Sequence, residues 1–160
     1  MKTKILLAAL FAGSLALTSC EDFLTQQNTT QGSDGSFIDN DGAVLATTAP
    51  LYNYVWNSFN DKAYYSMGDG RSNNITARWS DYIYPYTNFT ETSLSPGLED
   101  SWNAFYSVVA QSNNVVNRIL NAGAGASEAA KIQGMAEARF MRGLAYWYIG
   151  SLWNKAIIYT

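Results

Sequence analysis

The sequence contains no histidine. That removes the commonest general base and the commonest metal ligand among side chains. It has one cysteine, Cys20, which excludes an intramolecular disulfide and any cysteine-rich zinc site. Charge is scarce: charged residues make up 14% of the 160, the formal net charge is −3, and no basic run occurs. Binding to nucleic acid draws on a basic stripe that neutralises phosphates, so no such partner is expected. Nor is there an apolar run of the about 20 residues that a membrane-spanning helix requires. The residues therefore point to no metal, no cofactor and no imidazole-based catalysis.

What the chain does have is apolar and aromatic surface. Apolar residues make up 48%, and there are 11 Tyr, 7 Phe and 5 Trp. This is enough for one domain with a real core, and it is not the composition of a disordered chain. Aromatics in such number suit a solvent-facing binding surface in addition to a core; a large core with tyrosines at its rim would account for them as well.

The N-terminus is organised like an export signal. Lys2 and Lys4 precede the apolar run Ile5 to Leu17, which is too short to span a bilayer. The run ends in Leu17-Thr18-Ser19-Cys20. This resembles the lipobox of bacterial lipoproteins, in which the cysteine is acylated through its sulfur and becomes the new N-terminus. An ordinary secretory signal with a stray buried cysteine is the alternative. On the lipoprotein reading, residues 1–19 are the signal peptide and Cys20 carries a lipid anchor, worth about 0.8 kcal/mol per buried CH₂. Loss of the two lysines leaves eight basic residues against 13 acidic ones, a balance of −5. Residues 20–40, rich in Gln, Asn, Thr, Ser, Gly and Asp, read as a tether. Residues 41–160 then read as the folded part.

Val44, Leu45, Leu51, Tyr52, Val55, Trp56 and Phe59 fit a helical period, which predicts a helix from about Asp41 to Ser58. Pro50 must kink it or restart it. From Asn60 to Leu94 no helical period holds, which predicts a long irregular loop. This loop carries Asn73, Asn74, Arg78, Trp79, Tyr82, Tyr84 and Tyr86. Aromatic faces beside planar polar groups suit carbohydrate: sugar C–H faces stack on rings, and vicinal hydroxyls need paired donors and acceptors. Trp79 with Tyr82, Tyr84 and Tyr86 is the expected platform, and Arg78, Asn73 and Asn74 the expected hydrogen-bonding partners. Packing of these aromatics under further chain is the other reading.

Ser95 then Pro96 reads as N-cap and first helical residue. An apolar stripe follows through Leu98, Trp102, Phe105, Tyr106, Val109, Val116 and Leu120. Asn113 falls on this stripe and is expected to bond to backbone. After the break at Ala122–Ala126, Ser127 caps a second long helix reaching Trp153, which would pair with the first as an antiparallel hairpin. That helix is apolar on two faces, one with Ala136, Phe140, Gly143 and Trp147, the other with Ala138, Met141, Ala145, Tyr148 and Leu152. It is thus expected to pack on two sides, with Gly143 and Gly150 admitting close neighbours. Glu137, Arg139 and Arg142 within it read as a catalytic cluster or as hydrogen-bonded structural charges, and pairing of buried charges favours the second. The ending Ala156-Ile-Ile-Tyr-Thr160, with no cap or polar tail, reads as a fragment of a longer chain.

Together these features resemble the SusD/RagB family of outer-membrane nutrient-binding lipoproteins. The residues that carry the resemblance are Cys20-Glu-Asp-Phe-Leu24, Pro50-Leu-Tyr-Asn-Tyr54, Gly68-Asp69, the trio Trp102, Tyr106 and Asn113, and above all Glu137-Ala-Arg-Phe-Met-Arg142 with Tyr146. The family's Leu-Phe-Gly-Asp-x-Pro turn is replaced here by Leu152-Trp-Asn-Lys-Ala-Ile, which leaves the exit from the last helix open. The resemblance implies an all-α, mostly helical fold of tetratricopeptide-like hairpins with long irregular loops. It implies a non-enzymatic cell-surface lipoprotein of the outer membrane that captures oligosaccharides and hands them to a SusC-type TonB-dependent transporter. It also implies a glycan site drawn partly from the loop after the first helix. A structural lid subunit without its own glycan site, or a surface glycoside hydrolase working with two carboxylates, are the competing functions.

Overall fold

A computed structural model describes residues 38–78, 82–122 and 124–159 of the chain. Cys20, the signal segment, most of the tether and Trp79 lie outside the described residues. No strand occurs among those described, and the chain is all-α as expected.

The first helix, α1, spans Asp41–Thr48, and Asn40 Oδ1 accepts from Ala43 N–H at 2.9 Å to cap it. Ile38, within the segment read as tether, is already buried in the core. The helix expected to run on to Ser58 stops at Thr48. Two 3₁₀ turns, Ala49–Tyr52 and Tyr54–Trp56, take over, because Pro50 has no N–H to donate and its ring crowds the carbonyl four residues back. The expected loop from Asn60 is in turn more regular than its sequence suggests. Phe59–Ala63 and Ser66–Gly70 form π-helical turns, with a kink at Asp61 (ψ −109°). Wide turns of this kind do not keep a 3.6-residue period, so the apolar spacing hides them. A short helix, α2 (Tyr84–Thr87), interrupts the remaining loop.

Two long helices follow, α3 (Pro96–Leu120) and α4 (Glu128–Trp153). Ser95 sits at the N-cap of α3, but its hydroxyl accepts from Thr92 N–H instead of capping, so it closes the incoming loop. Ser127 does cap α4, accepting from Ala130 N–H. Its own N–H and hydroxyl both donate to the Asp41 carboxylate, at 2.7 and 2.9 Å. One acidic side chain thereby ties the start of α1 to the start of α4.

The helices α3 and α4 are antiparallel: Asn113 meets Arg142, and Ile119 lies beside Gly134. The core fills the groove of this hairpin with α1 and the turns after it, through Val44, Leu51, Val55, Phe105, Val108 and Ile119 against Ala138, Met141, Ala145 and Ile149. Gly134 is where α1 and α3 press closest on α4, since a Cβ there would stand 2.6 Å from Val44 Cγ1 and 2.8 Å from Ile119 Cδ1. Much of the aromatic content is core. Phe105 stacks on Tyr148 at 5.1 Å, and Trp56 meets both edge-on at 5.9 and 6.0 Å. Each such pair contributes about 0.5–1.5 kcal/mol beyond its burial.

The second apolar face of α4 is not packed. Phe140 and Trp147 are 67% and 62% exposed, and Gly143 and Gly150 have open space above them. No described element reaches that side, so the close approach expected at these two glycines occurs at Gly134 instead. The exit from α4 is settled by Asn154 in the left-handed region (φ 59°), its N–H closing on Gly150 O at 2.9 Å. Asparagine tolerates this conformation and takes the part usually played by glycine. The chain then runs extended along the hairpin groove. Ile157 N–H donates to the Tyr106 hydroxyl and Tyr159 N–H to the Tyr146 hydroxyl, at 2.8 and 2.7 Å. No helix among the described residues is long and apolar enough to cross a membrane.

Candidate functional site

The segment between the π-helical turns and α3 is held down by one half-buried ion pair. Arg71 Nε donates to Glu91 Oε1 at 3.0 Å, and the guanidinium lies over the Tyr86 ring, 5.7 Å from its centre. Tyr86 is wholly buried. It is therefore not part of a sugar platform: its ring faces the protein interior above Gly97, where a Cβ would stand 2.8 Å from the Tyr86 hydroxyl. Burial pushes the Tyr86 pKa up, with the Arg71 charge opposing. Neither the Tyr86 hydroxyl nor Glu91 Oε2 has a hydrogen-bond partner among the described residues. Such orphaned groups are costly, and here they accompany an anchor that fixes the loop to the start of α3.

Tyr82 is half-buried. Its hydroxyl donates to Asp100 Oδ2 at 2.6 Å, and Lys62 Nζ lies 5.9 Å from its ring centre. Burial first, then the bond to Asp100, holds this phenol well above its ordinary pKa. Tyr84 is half-buried on α2. Asn74 is committed to a turn, its Nδ2 donating to Asp69 Oδ1 and its N–H to Asp69 O. Asn73 is exposed in the left-handed region (φ 60°), and Arg78 is exposed as well. The expected platform is thus only partly assembled among the described residues: Tyr82, Tyr84, Arg78 and Asn73 remain accessible, while Tyr86 and the Asn74 amide are taken up by the structure.

Other aromatics reach solvent nearby. Tyr64 and Tyr65 are half-exposed and meet edge-on at 5.5 Å. Phe89 is 68% exposed with φ 53°, a conformation uncommon for a residue of its size. Under Tyr64 lies a small apolar slot of about 120 Å³ lined by Phe59, Met67, Tyr148 and Leu152. Beside Tyr82, an open cleft of about 430 Å³ is lined by Asn57, Ser58, Asn60, Asp61 and Asp100. Sequence reasoning missed this cleft because its residues straddle the point where the helical period fades. Asp100 lies 39 positions after Asp61, so no local spacing signals the cleft. The lining supplies amide, hydroxyl and carboxylate groups, and chemically it suits a polyhydroxylated ligand. No three Asp, Glu, His or Cys side chains come together for a metal among the described residues.

Some of the signature residues of α3 and α4 are tied into the structure by ring contacts and hydrogen bonds, and others are not. Trp102 packs against Tyr106 and Trp153, at 4.7 and 5.3 Å. Arg142 Nη1 donates to Asn113 Oδ1 at 2.6 Å, and Asn113 Nδ2 donates to Tyr159 O. Glu137 accepts from Gln133 Nε2 on its own helix. Arg139 and Phe140 face solvent. The three charges do not gather into one cluster.

No family model matches the chain. It is similar to a SusD-like protein of Bacteroides ovatus, at 38% identity over 99% of this chain and 29% of the relative. SusD-like protein P25 of Formosa agariphila is 26% identical over 89% of this chain and 29% of its own length. The chain therefore spans less than a third of either relative. Among solved structures, one crystal structure matches with a TM-score of 0.70 at 37% identity, over 75% of this chain and 23% of the other. Another, a crystal structure with xylogluco-oligosaccharide, matches with a TM-score of 0.66 at 38% identity, over 73% of this chain and 23% of the other.

Proposed function

The chain belongs to the SusD-like family, and from that membership we propose that it serves a cell-surface protein that captures oligosaccharides. The observation that carries the proposal is the shared fold, at 38% identity, with a structure that holds a xylogluco-oligosaccharide. The local chemistry supports it: half-exposed tyrosines and Phe89 offer ring faces to solvent for stacking, and a cleft of amides, hydroxyl and carboxylates offers the paired hydrogen bonds that a sugar requires. In this reading Trp79, Tyr82, Tyr84, Arg78 and Asn73 contact the glycan. Cys20 carries the lipid that holds the protein on the outer membrane, facing the exterior. The captured oligosaccharide passes unhydrolysed to a SusC-type TonB-dependent transporter.

The test is calorimetric titration of the lipid-free full-length protein with xylogluco-oligosaccharide. Trp79→Ala is expected to lower affinity up to about tenfold, the worth of one good ring contact. Unchanged affinity removes Trp79 from the site. Release of reducing sugar by the purified protein overturns capture in favour of hydrolysis.

One observation favours a second reading, a lid subunit that binds no sugar. The buried Tyr86 and the turn-bound Asn74 show that part of the aromatic loop serves the fold. Co-purification with the transporter, combined with no binding across a glycan panel, is the result expected of that reading.

A further inference from the structure

The cleft beside Tyr82 does not end at Asn57. A second depression of about 300 Å³ shares Asn57 and Ser58 with it and continues along α3 past Asn103, Ser107 and Gln111. Asp100, Asn103, Ser107 and Gln111 recur every three or four residues, so they line one face of the helix. From Asp100 to Gln111 that face is about 16 Å long. The side-chain amides of Asn57, Asn60, Asn103 and Gln111 make no hydrogen bond among the described residues. Ser107 turns back to Asn103 O at 2.7 Å.

This face is chemically unusual for a solvated helix. Lys and Glu are better helix formers than Asn and hydrate well, yet the lining between Asn57 and Gln111 has neither. The side chains present donate and accept in fixed planes, which matches adjacent sugar hydroxyls. The lining offers no aromatic or exposed aliphatic anchor, and protein partners depend on such anchors. It offers no Lys or Arg either, and Asp61 and Asp100 stand at one end. Lys62, the cation in the same turn, is directed at the Tyr82 ring. An anionic chain meets two carboxylates there and no compensating charge in the lining.

We propose that the two depressions form one groove for an extended, neutral glycan chain, and that Asp61 and Asp100 exclude acidic glycans. The proposal rests on the capture reading and adds a binding length and a charge selectivity to it. Ligand contact runs from Asn60 past Asn57 and along α3 to Gln111, so affinity grows with chain length. Uronic-acid polymers of the same length are rejected.

The test titrates the full-length protein with cellobiose, a longer cello-oligosaccharide and an oligogalacturonate of matching length. Wild type is expected to prefer the longer neutral chain and to bind the oligogalacturonate at least about tenfold more weakly. In the double variant Asn103→Ala/Gln111→Ala, the preference for the longer chain is expected to shrink about tenfold, the loss of two hydrogen bonds. Asp61→Asn is expected to raise affinity for the oligogalacturonate. Gln133→Ala, on the far helix, serves as the unaffected control. If the double variant keeps the full length preference, or if wild type binds both polymers equally, the groove is overturned while capture at the aromatic loop stands. If no sugar binds at all, capture itself fails and takes the groove with it. The oligogalacturonate comparison uses wild type alone, so it decides the charge selectivity even if a variant fails to fold.

Discussion

Gly134 and Gly143 lie on the same helix, nine residues apart, and the same substitution is expected to move stability in opposite directions at the two. At Gly134 an added methyl would stand 2.6 Å from Val44 Cγ1 and 2.8 Å from Ile119 Cδ1, with Thr48 Cγ2 at 3.5 Å. Real Cβ atoms do not approach that closely, so the Val44 and Ile119 side chains, or the helices that carry them, must give way. Overpacking of this kind costs about 1–3 kcal/mol, while replacing a helical glycine by alanine recovers about 0.8–1 kcal/mol. The expected net effect of Gly134→Ala is a loss of up to about 2 kcal/mol. At Gly143 nothing lies within 4 Å of the added methyl, so only the propensity term acts, and Gly143→Ala is expected to stabilise by about 0.8–1 kcal/mol. In a chain of this size each kcal/mol moves the melting temperature by about 2–4 °C. Urea and thermal unfolding of the two variants of the 160-residue chain should therefore bracket the wild type. If both variants stabilise by similar amounts, the close crossing of α1, α3 and α4 at Gly134 is wrong. If both destabilise, the open face at Gly143 is wrong.

Two further outcomes follow from the hydroxyls. Tyr106→Phe removes both bonds to Ile157, the donated one at 3.3 Å and the accepted one at 2.8 Å. Hydrogen exchange at the Ile157 amide should accelerate about fivefold, for a loss near 1 kcal/mol, and unchanged protection would show that the 155–159 segment is held by other means. Tyr82 keeps its proton in the folded state above its ordinary pKa of 10.0 because burial and Asp100 disfavour the phenolate. The folded protein thus binds a proton that the unfolded chain releases. Stability is unaffected below about pH 10 and falls as pH rises beyond it. Tyr82→Phe should flatten this alkaline decline in urea-unfolding midpoints, and identical slopes for the two proteins would refute the account.

How much of this was legible depended on how local the cause was. The long helices were readable because their apolar residues repeat at helical spacing and their first residues are good starts, Ser95-Pro96 and Ser127. Even there the sequence could not tell which hydroxyl would cap. Ser127 caps its helix, whereas Ser95 bonds to Thr92, since the choice depends on how the preceding loop approaches. The π-helical turns from Phe59 to Gly70 were not readable, because their wider winding leaves no 3.6-residue signal. Among the loop aromatics the residue types were right for sugar, but type does not give direction. Tyr82 and Tyr86 are four residues apart; one meets Asp100 at the cleft and the other is sealed against Arg71 and Gly97.

By itself, the sequence determined the helical class, the α3–α4 hairpin and the family signature on α4. Within these 160 residues it also left no imidazole and no pair of cysteines for an internal disulfide. These are matters of composition and local period, and each is decided within a few turns of chain. Only the tertiary structure decided which face of α4 is covered, that Asp41 fastens α1 to α4, and that Asn57, Asn60 and Asp61 meet Asp100 to make a cleft. Those outcomes join residues about forty to ninety positions apart. No local period fixes such pairings, which depend on close approaches between distant segments, as where Val44 and Ile119 meet Gly134 and the Tyr86 hydroxyl meets Gly97.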